Sequence, residues 1–157
     1  MVEVALRPVE DRDLDALFEQ WRDPESVHMA AFTAADPDDR EAFDAHMSKV
    51  PTSPGITVRG VTADGRFVGS ISSFVVEGAT EITYWIDRSV WGQGIAGRAL
   101  ALFLDTVEVR PLWARAASDN LASLRVLRKA GFTVVGTEMS YASARHAEIE
   151  ETILRLD

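Results

Sequence analysis

Apolar positions change period twice along this chain. Near the start, Val2, Val4 and Leu6 alternate with polar neighbours, which predicts a short strand. Leu14, Leu17, Phe18 and Trp21 then recur at helical spacing, and Pro24 is expected to stop that helix. A weaker helical stretch runs from about Asp38 to Met47, with Phe43 and Met47 on one side. Pro51-Thr52-Ser53-Pro54-Gly55 reads as a loop inside the domain. Beyond it the period becomes two. Ile56 to Val61, Arg66 to Val76 and Glu81 to Asp87 read as strands, and the turn pairs Asp64-Gly65 and Glu77-Gly78 make them an antiparallel meander.

A helix follows from about Gly94 to Val107, with Ala96, Ala99, Leu100, Phe103 and Val107 as its buried stripe. Leu112 to Ala117 is a short strand. Asp119-Asn120 then caps a helix carrying Leu124, Leu127 and Ala130, which Gly131 ends. Phe132 to Tyr141 and Glu148 to Leu156 close the chain as strands. Strand, helix and strand around residues 81–117 require a parallel crossover, so the class is mixed α/β. With no repeat, no low-complexity tract and no linker, residues 1–157 read as a single domain.

Composition narrows the function. Apolar residues make up 46% and charged ones 26%, a globular balance. Sixteen basic residues against 25 acidic ones leave a net charge of −9, which argues against a nucleic-acid backbone as partner. The absence of cysteine excludes disulfides, a thiolate nucleophile and Cys-based zinc sites. The N-terminus MVEVALRPVEDRD is acidic where a signal peptide needs basic and then apolar residues, and Arg98 breaks the longest apolar stretch. The expectation is a cytoplasmic domain without a membrane partner.

The densest chemistry lies in Trp91-Gly92-Gln93-Gly94-Ile95-Ala96-Gly97, between a strand and the first turn of an amphipathic helix. Glycines let a ligand approach the backbone, and free N–H groups at a helix start attract an anion such as a diphosphate. The alternative is a glycine turn serving chain reversal alone. Gly92, Gly94 and Gly97 also satisfy the spacing of a dinucleotide site, with Asp119 where a ribose-binding acid belongs. Four residues, Arg88 to Trp91, separate strand from glycines, and only 60 residues follow Gly97, too few for a doubly wound sheet. Gly60 to Arg66 mimics a phosphate loop but has Arg66 for the lysine and Phe67 for the hydroxyl residue, and reads as a turn.

Three blocks, Glu81-Ile-Thr-Tyr-Trp-Ile-Asp87, Trp91-Gly-Gln-Gly-Ile-Ala96 and Asn120-Leu-Ala-Ser-Leu-Arg-Val-Leu-Arg-Lys-Ala-Gly-Phe132, resemble the GNAT N-acetyltransferase superfamily, and within it the ribosomal-protein (RimJ/RimL-type) branch. The resemblance covers about residues 81–132. It implies a twisted, mostly antiparallel sheet of about seven strands with one parallel splayed pair and about four flanking helices. It implies acetyl-CoA as donor and a primary amine, on a protein N-terminus or a small molecule, as acceptor. The strand matching Tyr84, Trp85 and Ile86 would pair with the pantetheine arm. The loop matching Gly92, Gln93, Gly94, Ile95, Ala96 and Gly97 would hold the pyrophosphate, and Asn120 would lie near the pantetheine. Trp91 stands where the family usually has Arg or Gln. Leu127 stands where many members carry a tyrosine acid, and Ser123 matches a suggested substitute in the ribosomal branch.

The residues themselves add candidates. Arg125, Arg128 and Lys129 cluster on one helix, with Arg98 on the preceding one, and Arg125 or Arg128 would meet coenzyme phosphates; the alternative is solvated surface charge. Glu81 is the leading general base, acting through water with its pKa raised by partial burial, and its bland alternative is a bond to backbone or to a basic residue. Tyr141 is a further proton donor. Trp21 and His28 follow or end the first helix, where the family builds its acceptor wall, although Trp21 also continues the core stripe. His28, His46 and His146 show no ligand spacing, so no metal is expected. Two other functions remain: a catalytically weak acyl-CoA-binding or sensing domain, and a nicotinamide-nucleotide enzyme. The oligomeric expectation is a monomer or homodimer.

Overall fold

The computed structural model describes residues 2–157. Seven strands, β1 (Val4–Arg7), β2 (Thr57–Ala63), β3 (Arg66–Val76), β4 (Ala79–Ile86), β5 (Leu112–Ala117), β6 (Thr133–Ala142) and β7 (Ala147–Leu156), form one sheet in the order β1-β2-β3-β4-β5-β7-β6. Every neighbouring pair is antiparallel except β4 with β5. The meander from β2 to β4 turns on Asp64-Gly65 and Glu77-Gly78, all four at positive φ. The sheet is thus not doubly wound, which removes the architecture a dinucleotide site needs.

Five helices cover it: α1 (Leu14–Arg22), α2 (Pro24–Ala30), α3 (Arg40–Lys49), α4 (Ile95–Leu104) and α5 (Leu121–Lys129). One more forms than the hydrophobic pattern suggests. Pro24 ends α1 as expected and also starts α2, where a proline at the first helical position loses no intrahelical bond. The Asp23 carboxylate caps that start by accepting from the Ser26 N–H at 3.0 Å.

The sheet's two faces follow from the period of two. Ile71, Ile82, Ile86, Leu112 and Leu154 pack against Ile95, Leu100 and Phe103 of α4 and Leu127 of α5. On the opposite face Leu17, Phe18, Phe43 and Met47 form a smaller core under α1 and α3. β4 therefore sends Ile82, Tyr84 and Ile86 to the α4/α5 side and Trp85 to the α1 side, where its ring lies 6.4 Å from that of Trp21.

The feature that shapes the site is the end of one ladder. β4 and β5 pair only at Thr80–Leu112 and Glu81–Trp113. Past Glu81, β4 stays bonded to β3 as far as Ile86–Gly69, while β5 stays bonded to β7 as far as Ala117–Glu151. The two strands therefore splay apart, leaving one backbone edge of β4 free from Ile82 onward. Gly69 of β3 lets the end of β4 pass close by, because a Cβ at that position would collide with the Trp85 carbonyl oxygen.

Candidate active site

The fork opens into a cavity of about 520 Å³ bounded by the end of β4, the start of α4, one face of α5 and the side of α2. Tyr84, Trp85 and Ile86 form the β4 wall. Gly92, Gly94, Ile95, Ala96 and Gly97 form the end wall, and Gln93, exposed between them, is not part of it.

The end wall is a cradle of main-chain groups. Gly94 caps α4 in the left-handed region at φ 76°, with no side chain to satisfy the helix start. The Arg98 N–H is the first to close on the Gly94 carbonyl, at 3.2 Å, so the N–H groups of Ile95, Ala96 and Gly97 precede the helical ladder. Gly97 is helical and needs no special φ. A Cβ built on it, or on Gly92 or Gly94, meets no protein atom within 4 Å. A mid-turn glycine costs about 0.5–1 kcal/mol relative to alanine. Neither backbone nor packing among the described residues demands a glycine at 97, which leaves open space in the first turn of α4.

Cations complete the cradle. Arg125 and Lys129, one turn apart on α5, both line the cavity. Neither makes an ion pair among the described residues. Arg128 is exposed and lies off the wall, because one residue rotates a helical side chain by about 100°. Arg98 is engaged elsewhere, donating to the Val2 carbonyl. Among the described residues, no acidic side chain lines the cavity.

Asn120 caps α5 by accepting from the Ser123 N–H at 3.3 Å and donates to the Met29 carbonyl of α2 at 3.4 Å. This bond brings α2 over the cavity, so Ser26 and Met29 join the wall, which the sequence pattern did not announce. Asp119, the candidate ribose acid, is engaged by a two-pronged ion pair with Arg145. That arginine also donates to the His28 carbonyl at 2.8 Å. His28 itself is exposed and outside the cavity wall. Trp91 lines the cavity and its indole N–H donates to the Ile86 carbonyl at 2.8 Å, pinning the end of β4 to the loop.

Two hydroxyls meet inside the wall. The Tyr84 phenol oxygen lies 2.8 Å from Ser123 Oγ across the gap between β4 and α5. Burial pushes the phenol's pKa above its ordinary value, opposed by the serine bond. Leu127 is buried in the core below them. Tyr141 is 60% exposed on β6 and outside the cavity wall.

Glu81 stands at the apex of the fork, on the opposite face from Tyr84, with a side chain 16% exposed. Burial pushes its carboxyl above the ordinary carboxylate range, while Arg115 at 3.8 Å pulls it back and Glu151 pushes it further up. Arg115 is shared: it bonds Glu138 and, at 3.1 Å, Glu151. Three carboxylates thus surround one guanidinium on this face. Trp21 packs 5.4 Å from Phe43 and 6.2 Å from His46, ring to ring, and its buried indole N–H has no partner among the described residues. It packs against the core under α1 and α3 and lies outside the cavity wall, beside Trp85, whose own N–H donates to the Gln20 carbonyl at 3.0 Å.

The cavity thus joins the start of α4, which has no side-chain cap, to the free edge of β4 that runs from the fork. No helix is long and apolar enough to cross a membrane.

The chain is similar to known proteins in sequence and in fold. Probable N-acetyltransferase YjcK of Bacillus subtilis (strain 168) is 35% identical over 78 residues, which span 45% of this chain and 43% of that protein. The match therefore spans less than half of that relative. Ribosomal L7/L12 alpha-N-protein acetyltransferase RimL, solved in complex with coenzyme A, superposes with a TM-score of 0.82 at 19% identity, over 98% of this chain and 93% of that one. Mycobacterium smegmatis RimJ, in complex with CoA-disulfide, superposes with a TM-score of 0.82 at 26% identity, over 98% of this chain and 81% of that one. The acetyltransferase (GNAT) domain family model matches residues 3–133. Because that match runs from the edge of β1 through the fork, the glycine loop and α5 into β6, this chain belongs to the acetyltransferase (GNAT) domain family.

Proposed function

We propose that this chain is an acetyl-CoA-dependent N-acetyltransferase that moves an acetyl group directly to a primary amine, on a protein N-terminus or a small molecule. The observation that carries the proposal is the adjacency of the side-chain-free start of α4 to the unpaired edge of β4. Family membership and relatives solved with coenzyme A support it.

Each part of the reaction has a residue to serve it. N–H groups of the α4 start hold a pyrophosphate, with Arg125 and Lys129 neutralising phosphate charge. Main-chain groups of Tyr84 to Ile86 pair with the amides of the pantetheine arm, and one of their N–H groups faces the thioester oxygen where negative charge develops. Glu81 takes a proton from the incoming ammonium through water, and its raised pKa brings it closer to neutrality than an ordinary carboxylate. The three carboxylates around Arg115 attract a cationic acceptor to the same face, and Trp21 with Trp85 gives it an apolar wall. Ser123 supplies a hydroxyl toward the leaving thiolate.

One observation favours a second reading. A buried leucine at position 127 leaves the family's usual acid position empty, as a weakly catalytic acyl-CoA sensor would tolerate. Free thiol release on mixing with acetyl-CoA and a panel of amines and N-terminal peptides separates the two. Acceptor-dependent release supports transfer; tight coenzyme binding without it supports the sensor.

A further inference from the structure

The leaving thiolate of such a transfer must be protonated, and a lone serine is a poor acid. The Ser123 hydroxyl is not alone. Tyr84 reaches it from the opposite wall at 2.8 Å, with the Ser123 carbonyl a further 3.4 Å from the same phenol oxygen. When the phenol donates to Ser123 Oγ, the serine keeps its own hydrogen free to turn into the cavity, which both residues line. The pair bridges β4 to α5 one helical turn before Leu127. A tyrosine hydroxyl is thus delivered to the same helix face from across the cavity.

We infer that Tyr84 is the proton reservoir for the leaving group, acting through Ser123 as a two-hydroxyl relay. The inference rests on the acetyl-transfer reading above. In the step, the Ser123 Oγ–H bond breaks as a hydrogen–sulfur bond forms on the departing thiolate. The Tyr84 O–H bond breaks as Oγ–H re-forms, leaving a phenolate that recovers a proton from water before the next turnover. The acceptor's own proton leaves by Glu81, so charge balances over the cycle. Tyr84 touches no reacting atom and is a positioning residue; Ser123 is the group that meets sulfur. Burial that disfavours the phenolate keeps Tyr84 protonated in the resting protein and drives the return of the proton.

Tyr84→Phe keeps the ring and its packing, and Ser123→Ala alters a helix position without a core role, so each tests the relay independently of the other. With acetyl-CoA, kcat falls by about a hundredfold in either variant while the dissociation constant of CoA stays within about twofold. The double variant is no slower than the worse single one, because the two act in series. With S-(4-nitrophenyl) thioacetate as donor, whose thiolate leaves without a proton, both variants match the parent. An equal deficit with both donors, or multiplying deficits in the double variant, overturns the relay. A second readout needs no turnover: the thiolate absorbance of CoA bound to the protein titrates at higher pH in Tyr84→Phe than in the parent, by about one unit, because the Ser123 hydroxyl that donates to the thiolate loses the phenol polarising it from behind. An unchanged titration overturns the relay even where the parent transfers nothing. A parent that binds CoA yet releases no thiol with any amine overturns the transfer reading instead, and failure to bind CoA overturns both.

Discussion

Gly97→Ala should move stability and coenzyme affinity in opposite directions. Gly97 sits in the first turn of α4 with a helical backbone, and an added methyl meets no protein atom within 4 Å. The substitution therefore brings alanine's helical advantage of about 0.5–1 kcal/mol with no steric cost in the ligand-free protein. In a chain of this length 1 kcal/mol corresponds to about 2–4 °C, so the melting temperature without ligand rises by about 1–4 °C. The same methyl projects into the space where phosphate oxygens approach the N–H groups of Ile95 to Gly97. Losing one charged hydrogen bond there costs about 1.5–3 kcal/mol, equivalent to roughly tenfold to hundredfold weaker binding of CoA. Gly94→Ala gives the contrast. At φ 76° it forces a side chain into the left-handed region and lowers ligand-free stability by about 1–2 kcal/mol. Differential scanning calorimetry without ligand and calorimetric titration with CoA read both quantities. A stabilised Gly97→Ala that binds CoA within twofold of the parent refutes the cradle. A destabilised one refutes the premise that nothing in the protein needs glycine there.

Other perturbations test the remaining parts. Lys129→Glu should weaken CoA binding by about tenfold or more, and by less at high salt, whereas Arg128→Glu stays within twofold; equal effects measured by titration would undo the assignment of the α5 face. Glu81→Gln should slow transfer most near neutral pH and leave CoA affinity unchanged. The parent's rate falls as pH drops through the raised Glu81 pKa, and that acidic limb is missing from the variant's kcat/KM profile; a rate within twofold of the parent leaves Glu81 as a partner of Arg115 only. Asp23, held at about 2 by the Arg88 guanidinium against an ordinary 3.8, contributes stability that is full above about pH 4 and fades as pH falls toward 2. Asp23→Ala should then lower neutral-pH stability by about 1 kcal/mol, the worth of a helix cap, with the gap to the parent closing in acid; a gap of constant size in thermal unfolding across that range would contradict the pairing.

The strands and the two long amphipathic helices were legible because one face of each is buried, and burial writes itself into the spacing of apolar residues. Ile71, Ile82 and Leu100 announce their roles this way. The glycine loop was legible for the complementary reason, since a run of residues without side chains between strand and helix has few uses. What the spacing did not reveal is set by pairing across the sheet. Alternation in β4 and β5 looks the same whether they pair along their whole length or at two positions, so the fork at Glu81 is invisible in the pattern. The meeting of Arg115 with Glu81, Glu138 and Glu151 depends on the registers of four strands far apart in sequence. Helix α2 was missed because Pro24 ends one helix and starts the next with the same ring. Lys129, rather than Arg128, on the cavity wall is a matter of helical phase, which adjacent basic residues blur.

The acidity of the chain acquires a purpose once the sheet divides it. A net charge of −9 would repel a polyanionic coenzyme if it were spread evenly. It is not: the cavity under α4 and α5 carries Arg125, Lys129 and the positive end of a helix, with no carboxylate in its wall. Charges beyond about 8–10 Å are screened by physiological salt, so the groups lining the cavity count for more there than the net charge of the chain. Across the fork, Glu81, Glu138 and Glu151 outnumber Arg115 and leave that face anionic. On the proposed reading, an anionic donor and a cationic acceptor would meet opposite faces of one sheet, on either side of the opening that the splayed strands leave past Glu81. On that reading, a protein that holds phosphates has no need to be basic overall.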